Sequence, residues 1–147
     1  VFNGAAAHCL PGMLKDLGYR SVASNPYKPN FFNALPAYQG TGFTDSYFPE
    51  EYSAARKTYL KLGDPGVEEY VFDKILFEQN LQFVRSHQQE HPDQPLFNYV
   101  LTIYGHTPHL LDPKQRPERI ELVSHYPDDH LHRAVNQFYY RTEAIAA

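Results

Sequence analysis

The chain has 147 residues, the length of one domain, and its 42% hydrophobic and 20% charged residues are typical of a globular protein. A formal net charge of −4 without a basic run disfavours nucleic-acid binding, and we expect no such partner. Cys9 is the only cysteine, which excludes an internal disulfide and a multi-thiolate metal site. We find no signal-peptide or transmembrane pattern. Because the chain lacks an initiator Met and ends at Ala147 within a helical pattern, we interpret it as a piece of a longer protein.

A short helix and a short strand are predicted first. Apolar residues recur at helical spacing, and Gly18 follows them as a residue that can end the helix. Tyr19 to Ser24 then has the length and composition of a strand. A helix, a glycine and a strand in this order make half of a parallel α/β unit. The apolar positions of the helix are Leu10, Met13, Leu14 and Leu17.

A segment rich in Pro, Asn and Gly extends from Asn25 to Gly42, and its aromatic residues predict one short helical turn. Phe43 to Phe48 alternates weakly, which predicts an edge strand. An aromatic loop after a strand is either the wall of a substrate site or a packed surface loop. Phe32 and Asn33 are the candidates for a substrate wall, whereas the residues alone favour a packed loop.

Two helices are predicted in the middle of the chain. Glu50 to Leu62 can be helical, although it is polar and weakly patterned, and the break Gly63-Asp-Pro-Gly66 follows it. A long amphipathic helix is predicted from about Val67 to about Gln89, where it would cover one face of a sheet. Its apolar face consists of Val71, Phe72, Ile75, Leu76, Phe83 and Val84.

The nearly unbroken apolar run from Leu96 to Tyr104 predicts a central parallel strand covered by helices on both faces. Gly105 ends the run, and His106 follows directly. Ligands of open α/β sheets bind at the carboxyl ends of the strands, so His106 is the candidate ligand-binding residue. The alternative is that His106 only hydrogen-bonds within its turn, and position alone does not decide between the two.

A Pro-punctuated loop from Leu110 to Pro127 leads to a last helix, which Asp128 or Asp129 can cap. Its stripe at helical spacing consists of Leu131, Val135, Phe138, Thr142 and Ile145. The densest group of potential metal ligands lies at this junction, but His130 and His132 are two apart and would point to different faces of a helix. We therefore favour a structural or solvated role over a metal site, and we assign no metal ligand in the chain. The group consists of His125, Asp128, Asp129, His130 and His132.

The residues provide no complete catalytic set. The sequence contains no G-x-S-x-G nucleophile elbow, no Walker-type phosphate loop and no G-x-G-x-x-G fingerprint. The residues alone predict an α/β domain with a candidate ligand histidine after its central strand.

Four segments in order resemble the sulfatase-like branch of the alkaline phosphatase superfamily. They are Leu10-Pro-Gly-Met-Leu-Lys-Asp-Leu-Gly-Tyr-Arg-Ser21, Gly42-Phe-Thr-Asp-Ser-Tyr-Phe48, Val71-Phe-Asp-Lys74 and Leu101-Thr-Ile-Tyr-Gly-His-Thr-Pro108. The last is similar to the branch's H-x-P strand end. Together they span nearly the whole chain, and the subgroup that they resemble most is the lipoteichoic acid synthase-like phosphoglycerol transferases.

The resemblance implies a partial three-layer α/β/α sandwich of the alkaline phosphatase type. It also implies a parent enzyme that acts on phosphate or sulfate esters, carried on a lipid or a glycan, with a divalent metal (manganese or calcium) as cofactor. His106 takes the position of the family histidine that contacts the substrate's phosphate. The parent would be anchored in a membrane and face the periplasm or the cell surface.

The resemblance also marks departures. The family's nucleophile segment would lie before residue 1 and its metal-binding segment after residue 147. Residues 1–147 would then be the central part of a catalytic domain. We expect this part to be inactive alone and, because its sheet would have unpaired strand edges, to self-associate. Phe32 and Ala34 stand where the synthases have a Trp and an Arg that contact glycerol phosphate, and His109 stands where an aromatic residue usually follows H-x-P. The alternative function is a noncatalytic binding or interaction module with an aromatic-rich surface.

Overall fold

The computed structural model of the chain describes residues 9–52, 60, 70–123 and 129–147. In these residues a parallel sheet contains three strands in the order β2-β1-β3, where β1 is Arg20–Ser24, β2 is Asp45–Tyr47 and β3 is Leu96–Val100. Val22 at the centre of β1 pairs with Asp45 on one side and with Asn98 on the other. Parallel neighbours need crossover connections, which here contain helices.

Helices lie on both faces of the sheet. The described α-helices are α1 (Leu10–Asp16), α2 (Ala34–Thr41), α3 (Asp73–Glu90) and α4 (Asp129–Ala146). The Ser21 hydroxyl donates to the Pro11 carbonyl of α1 over 3.2 Å, whereas Ser24 accepts from the Asn80 amide of α3 over 3.1 Å. Because these β1 residues are an odd number of positions apart, they point to opposite faces. The predicted α/β/α layering is confirmed.

The apolar core has two parts. One lies between the sheet and α3 and is built around Val22, Tyr47, Leu60, Val71 and Leu76. The other lies at the start of α3, where Phe72, Tyr104 and Tyr140 bring together α3, α4 and the segment after β3. This second part anchors the chain segment that carries His106.

The predicted central strand from Leu96 to Tyr104 is wrong in two respects. The strand ends at Val100, and among the described residues it occupies an edge of the sheet, with β1 in the centre. Tyr104 is buried because it packs on Phe72 and Tyr140 rather than within the sheet. The apolar run therefore reflects two successive environments, a half-buried strand and a buried turn, which hydrophobicity alone does not separate.

The predicted long helix begins later than expected. Residues 67–69 lie outside the described residues, while Val71 and Phe72 precede α3. Phe72 has an extended backbone (φ −61°, ψ 143°), and the Val71 N–H donates to the Pro26 carbonyl over 2.9 Å, outside any helix. Of the predicted helix from Glu50 to Leu62, the structure describes only a short 3₁₀ turn at Glu50–Tyr52 and the isolated Leu60.

The other predicted elements are confirmed, but two helices leave their apolar stripes exposed. The first helix, the Gly18 stop (φ +86°), the strand after it and the edge strand near Phe43 all occur where expected. On α1 and α4, however, Met13 is 54% exposed and Phe138 51% exposed. The helices in the described part of the chain include none with both the length and the apolarity of a membrane span.

Candidate functional site

A cleft of about 780 Å³ opens beside the carboxyl ends of β1 and β3. Asn25 follows β1 directly and Leu101 follows β3, so the cleft occupies the edge of the sheet at which α/β proteins bind ligands. Its walls come from the loop after β1, the start of α2 and the segment after β3. Its lining includes the side chains of Asn25, Phe32, Tyr38, Thr102, Ile103 and His106.

His106 lines this cleft with an exposed side chain. It lies in a tight turn, in which its backbone N–H donates to the Ile103 carbonyl over 3.0 Å. Its Nδ1 is 2.6 Å from the Thr107 carbonyl oxygen. A carbonyl can only accept, so Nδ1 carries the proton in this contact and Nε2 remains to meet a ligand. The contact with Thr107 restricts the rotation of the ring and so orients Nε2.

Phe32 is the other predicted site residue that the structure places in the cleft. It is 86% exposed, and its φ of +48° and that of Asn33 (+55°) lie in the left-handed region. Two consecutive non-glycine residues in that region carry backbone strain of about 1 kcal/mol or more each. Asn33 does not line the cleft and serves instead to reverse the chain into α2. The assignment of Phe32 and Asn33 as a substrate wall stays a prediction.

The described lining contains no Lys, Arg, Asp or Glu. Burial raises the pKa of Tyr38 above its usual 10.0, against the hydrogen bond from Asn25, so its hydroxyl stays protonated at neutral pH. The Asn25 amide donates to this hydroxyl over 3.1 Å. Apart from tyrosine hydroxyls, His106 is therefore the one ionisable group in the described lining. Such a site can bind an anionic group at His106 and an uncharged group elsewhere.

Asp73, the first residue of α3, lies behind the turn that carries His106 and is 1% exposed. Its Oδ1 accepts from the Tyr104 N–H over 3.4 Å, and its Oδ2 is 3.9 Å from Arg141 Nε. Burial raises the pKa of the Asp73 carboxyl from 3.8 to about 6, although the backbone amides of Tyr104 and Ile103 and the charge of Arg141 act in the opposite direction. A buried carboxylate with so little compensation lowers the stability of the fold at neutral pH.

The raised pKa of Asp73 predicts a pH-dependent stability. The folded state binds the Asp73 proton more tightly than the unfolded chain does. The contribution of Asp73 to the free energy of unfolding is therefore most favourable below the unfolded pKa of 3.8, and it is lost as the pH rises through about 6. Asp73→Asn removes this loss. We expect the variant to gain about 1–3 kcal/mol over wild type when both are moved from about pH 4 to about pH 8. Urea unfolding of both proteins measures the difference, and parallel pH profiles would contradict it.

The histidine-rich junction before α4 has structural contacts. His132 Nε2 is 2.7 Å from the Ile120 carbonyl, and the ring of His130 lies edge-on to His109 with centroids 4.9 Å apart. His125 and Asp128 lie outside the described residues. No group of three or more His, Cys, Asp or Glu side chains in residues 9–52, 60, 70–123 and 129–147 could hold a metal ion.

Several residues that shape the site were not identified from the sequence. Asn25 could have been found, because it directly follows a predicted strand at its carboxyl end. His109 was predicted only as a departure from the family, yet it is nearly buried and its Nδ1 is 2.9 Å from Gln137 Oε1. Gln137 in turn donates to the Leu110 carbonyl over 2.6 Å. Residue spacing in the sequence indicates neither this anchoring by α4 nor the position of Arg141 beside Asp73.

The sequence of this chain is similar to a protein family and to a curated protein. The family model described as "Sulfatase" matches residues 3–140. An uncharacterized protein from Haemophilus influenzae is 30% identical over 115 residues, which cover 76% of this chain and 20% of that protein. The chain therefore spans about a fifth of the length of this curated relative.

Solved structures with the same fold include a lipoteichoic acid synthase, LtaP, from Listeria monocytogenes (TM-score 0.78, 16% identity, 97% of this chain and 32% of that one). An alkaline phosphatase superfamily protein from Vibrio parahaemolyticus has a TM-score of 0.65 at 20% identity, over 98% of this chain and 32% of that one. The phosphoglycerol transferase GacH from Streptococcus pyogenes, solved with sn-glycerol-1-phosphate, has a TM-score of 0.58 at 17% identity, over 88% of this chain and 31% of that one.

Proposed function

This chain belongs to the sulfatase family, in the sulfatase-like branch of the alkaline phosphatase superfamily, and we propose that its protein hydrolyses or transfers phosphate or sulfate esters. We further propose that residues 1–147 are the central part of the catalytic domain. The chain covers 32% of the LtaP chain, which supports a partial domain, and the central position rests on the resemblance of the four segments. The nucleophile and the metal ligands would then lie in segments outside this chain.

The observation that carries the proposal is the position of His106 and Phe32 on one cleft at the carboxyl edge of a parallel sheet. We propose that the imidazole binds the anionic phosphoryl or sulfuryl group through Nε2, since Nδ1 already contacts the Thr107 carbonyl. Protonated at both nitrogens, the ring would donate to an oxygen of the ester and stabilise charge that develops there in the transition state. Phe32 would face the organic part of the ester.

The described lining favours an ester whose organic part is uncharged. No carboxylate or amine lines the cleft in the described residues, so a second charge on the ligand would have no partner there. A group carried on a lipid or a glycan fits this chemistry. GacH binds sn-glycerol-1-phosphate, but here Phe32 and Ala34 stand where the synthases that the chain resembles have Trp and Arg. We therefore propose an ester other than glycerol phosphate.

We also propose a divalent metal, manganese or calcium, as cofactor of the whole protein. The described residues do not assemble a site for it, so its ligands would have to come from elsewhere in the protein. From the same resemblance we propose that the protein is anchored in a membrane, with this domain on the extracytoplasmic side.

The full-length protein is expected to cleave bis-p-nitrophenyl phosphate or p-nitrophenyl sulfate with manganese or calcium present and to lose this activity on chelation. The isolated 147-residue chain is expected to be inactive with either ester. Release of p-nitrophenol measures both. Activity of the isolated chain that chelation abolishes would contradict the proposed location of the metal site. Inactivity of the full-length protein, with no Thr, Ser or Cys nucleophile upstream and no Asp-His pair downstream, would favour the noncatalytic binding module.

The isolated chain is expected to form a dimer or higher oligomer. β3 has no second strand partner among the described residues, and Tyr99 on it is 39% exposed beside Phe43 and Tyr38. An unpaired strand edge next to aromatic surface promotes pairing with another chain. Light scattering at high concentration measures the molar mass, with Tyr99→Lys as the variant that should shift it towards monomer. A monomeric wild type would contradict the expectation.

A further inference from the structure

The turn that presents His106 is held from behind by two charged side chains on different helices. Asp73 at the start of α3 accepts from the backbone N–H of Tyr104 over 3.4 Å. Arg141 on α4 donates from Nη2 to the Thr102 hydroxyl over 3.4 Å. Thr102 and His106 both line the cleft, so the two contacts fall on the segment that forms its wall.

Arg141 also lies against the residue that precedes His106. A β-carbon built on Gly105 would lie 3.8 Å from Arg141 Nη1 and 3.9 Å from its Cδ. Arg141 Nε is 3.9 Å from Asp73 Oδ2, which links the two side chains behind the turn. Between Thr102 and Gly105 the segment is therefore held by two hydrogen bonds, at the Thr102 hydroxyl and at the Tyr104 N–H, and Arg141 lies beside Gly105, whose φ is +99°.

We propose that Asp73 and Arg141 are positioning residues for His106, fixing the turn from Thr102 to Gly105 so that the imidazole enters the cleft in one orientation. This inference rests on the proposed function of His106 as the residue that binds the anionic group. Neither Asp73 nor Arg141 lines the cleft itself, so both act on the ester only through the turn.

A charged pair is a poor choice for stability alone in this place. Asp73 Oδ2 is buried and receives no hydrogen bond from the described residues, and its distance to Arg141 is long for an ion pair. A neutral residue would avoid the desolvation of the carboxylate. What the two side chains supply is a connection from two helices to the His106 turn, and a displacement of about 1 Å in a site can lower a rate by about 10².

A double-mutant cycle in the full-length protein tests the inference, with kcat/KM for bis-p-nitrophenyl phosphate or p-nitrophenyl sulfate as the readout. Asp73→Ala and Arg141→Ala are each expected to lower it by about tenfold. In a His106→Ala background the same substitutions should change it by less than about twofold, because they act through that imidazole. Asp73→Asn keeps an oxygen acceptor for the Tyr104 amide and should remain within about threefold of wild type.

Asp112→Ala is the matched control. Asp112 is also 1% exposed and accepts a backbone N–H, that of Lys114 over 2.9 Å, which belongs to its own loop and not to the His106 turn. It should lower the melting temperature and leave kcat/KM unchanged. If Asp73→Ala fails to fold, Arg141→Ala carries the cycle, since its side chain is 40% exposed.

Two results would overturn the inference and are distinguishable. If His106→Ala lowers kcat/KM but Asp73→Ala and Arg141→Ala lower it by the same factor in both backgrounds, the pair supports the fold and does not position His106. If His106→Ala itself keeps full activity, the proposed site is wrong, and the role of the pair fails with it.

Discussion

His106→Ala is expected to lower kcat/KM of the full-length protein for phosphate or sulfate esters by about 10²–10³, the loss typical of one transition-state donor. The side chain is exposed in the cleft, with Nδ1 bound to the Thr107 carbonyl and Nε2 left for a ligand. Because the imidazole buries little area, the melting temperature should change by only a few degrees at most. Initial rates and a thermal unfolding curve measure the two quantities separately.

Two other histidines provide controls for this substitution. His130→Ala and His132→Ala should leave kcat/KM nearly unchanged, because neither side chain lines the cleft. His132→Ala should still lower stability by about 1 kcal/mol, since its Nε2 is 2.7 Å from the Ile120 carbonyl. A His106→Ala protein with full activity and a melting temperature lower by many degrees would identify His106 as a structural residue of its turn.

Local patterns predicted much of this fold because local physics decides those parts. The helix–glycine–strand unit from Leu10 to Ser24 follows from apolar spacing and from Gly18, whose φ of +86° few other residues adopt. The placement of a ligand site beyond the strand ends follows from the topology of parallel sheets. The second rule predicts a ligand site at the edge of the sheet beside which the cleft lies, and the assignment of His106 to that site stays a prediction.

The parts that the sequence did not predict depend on contacts between distant segments. On α4 the fully buried residues are polar: Asn136 Oδ1 accepts the N–H groups of Arg119 and Ile120 over 2.6 and 2.9 Å. This polar face of α4 binds the backbone of the loop at Arg119 and Ile120 and does not cover the sheet. The apolar stripe of α4 with Leu131 and Phe138 therefore faces outward. An amphipathic pattern cannot reveal this inversion, because it assumes that the apolar side is buried.

The aromatic loop shows the same limit at the site itself. Residue types favoured a packed loop, and Tyr27 and Phe31 do pack edge-on with ring centroids 4.8 Å apart. Phe32, whose backbone is left-handed, packs in turn on Phe31 with ring centroids 4.4 Å apart. Tyr27, Phe31 and Phe32 all line the cleft, so the packed rings themselves form part of its wall, which residue types alone do not indicate.

Gly42→Ala is expected to destabilise the protein by about 3–5 kcal/mol, a loss that single substitutions cause only when they produce a severe steric clash or strain. Gly42 ends α2 with a φ of +99°, which a residue with a side chain adopts only with strain. More importantly, a β-carbon there would lie 2.6 Å from Gly12 Cα and 2.7 Å from Gly12 N. These are backbone atoms of α1, so α1 and α2 would have to move apart. Because α2 carries Tyr38 and follows Phe32, the cleft should widen and KM should rise in any protein that remains folded.

Gly18→Ala separates the two causes. Gly18 has a similar φ of +86°, but a β-carbon built on it meets no atom within 4 Å. It should therefore lose only the backbone term, about 1 kcal/mol, and leave KM unchanged. Urea unfolding of both variants gives the two free energies. Equal losses would show that positive φ is the whole effect and that α1 and α2 do not depend on close contact at Gly12. A larger loss at Gly42 accompanied by a raised KM would tie the packing of these helices to the shape of the cleft.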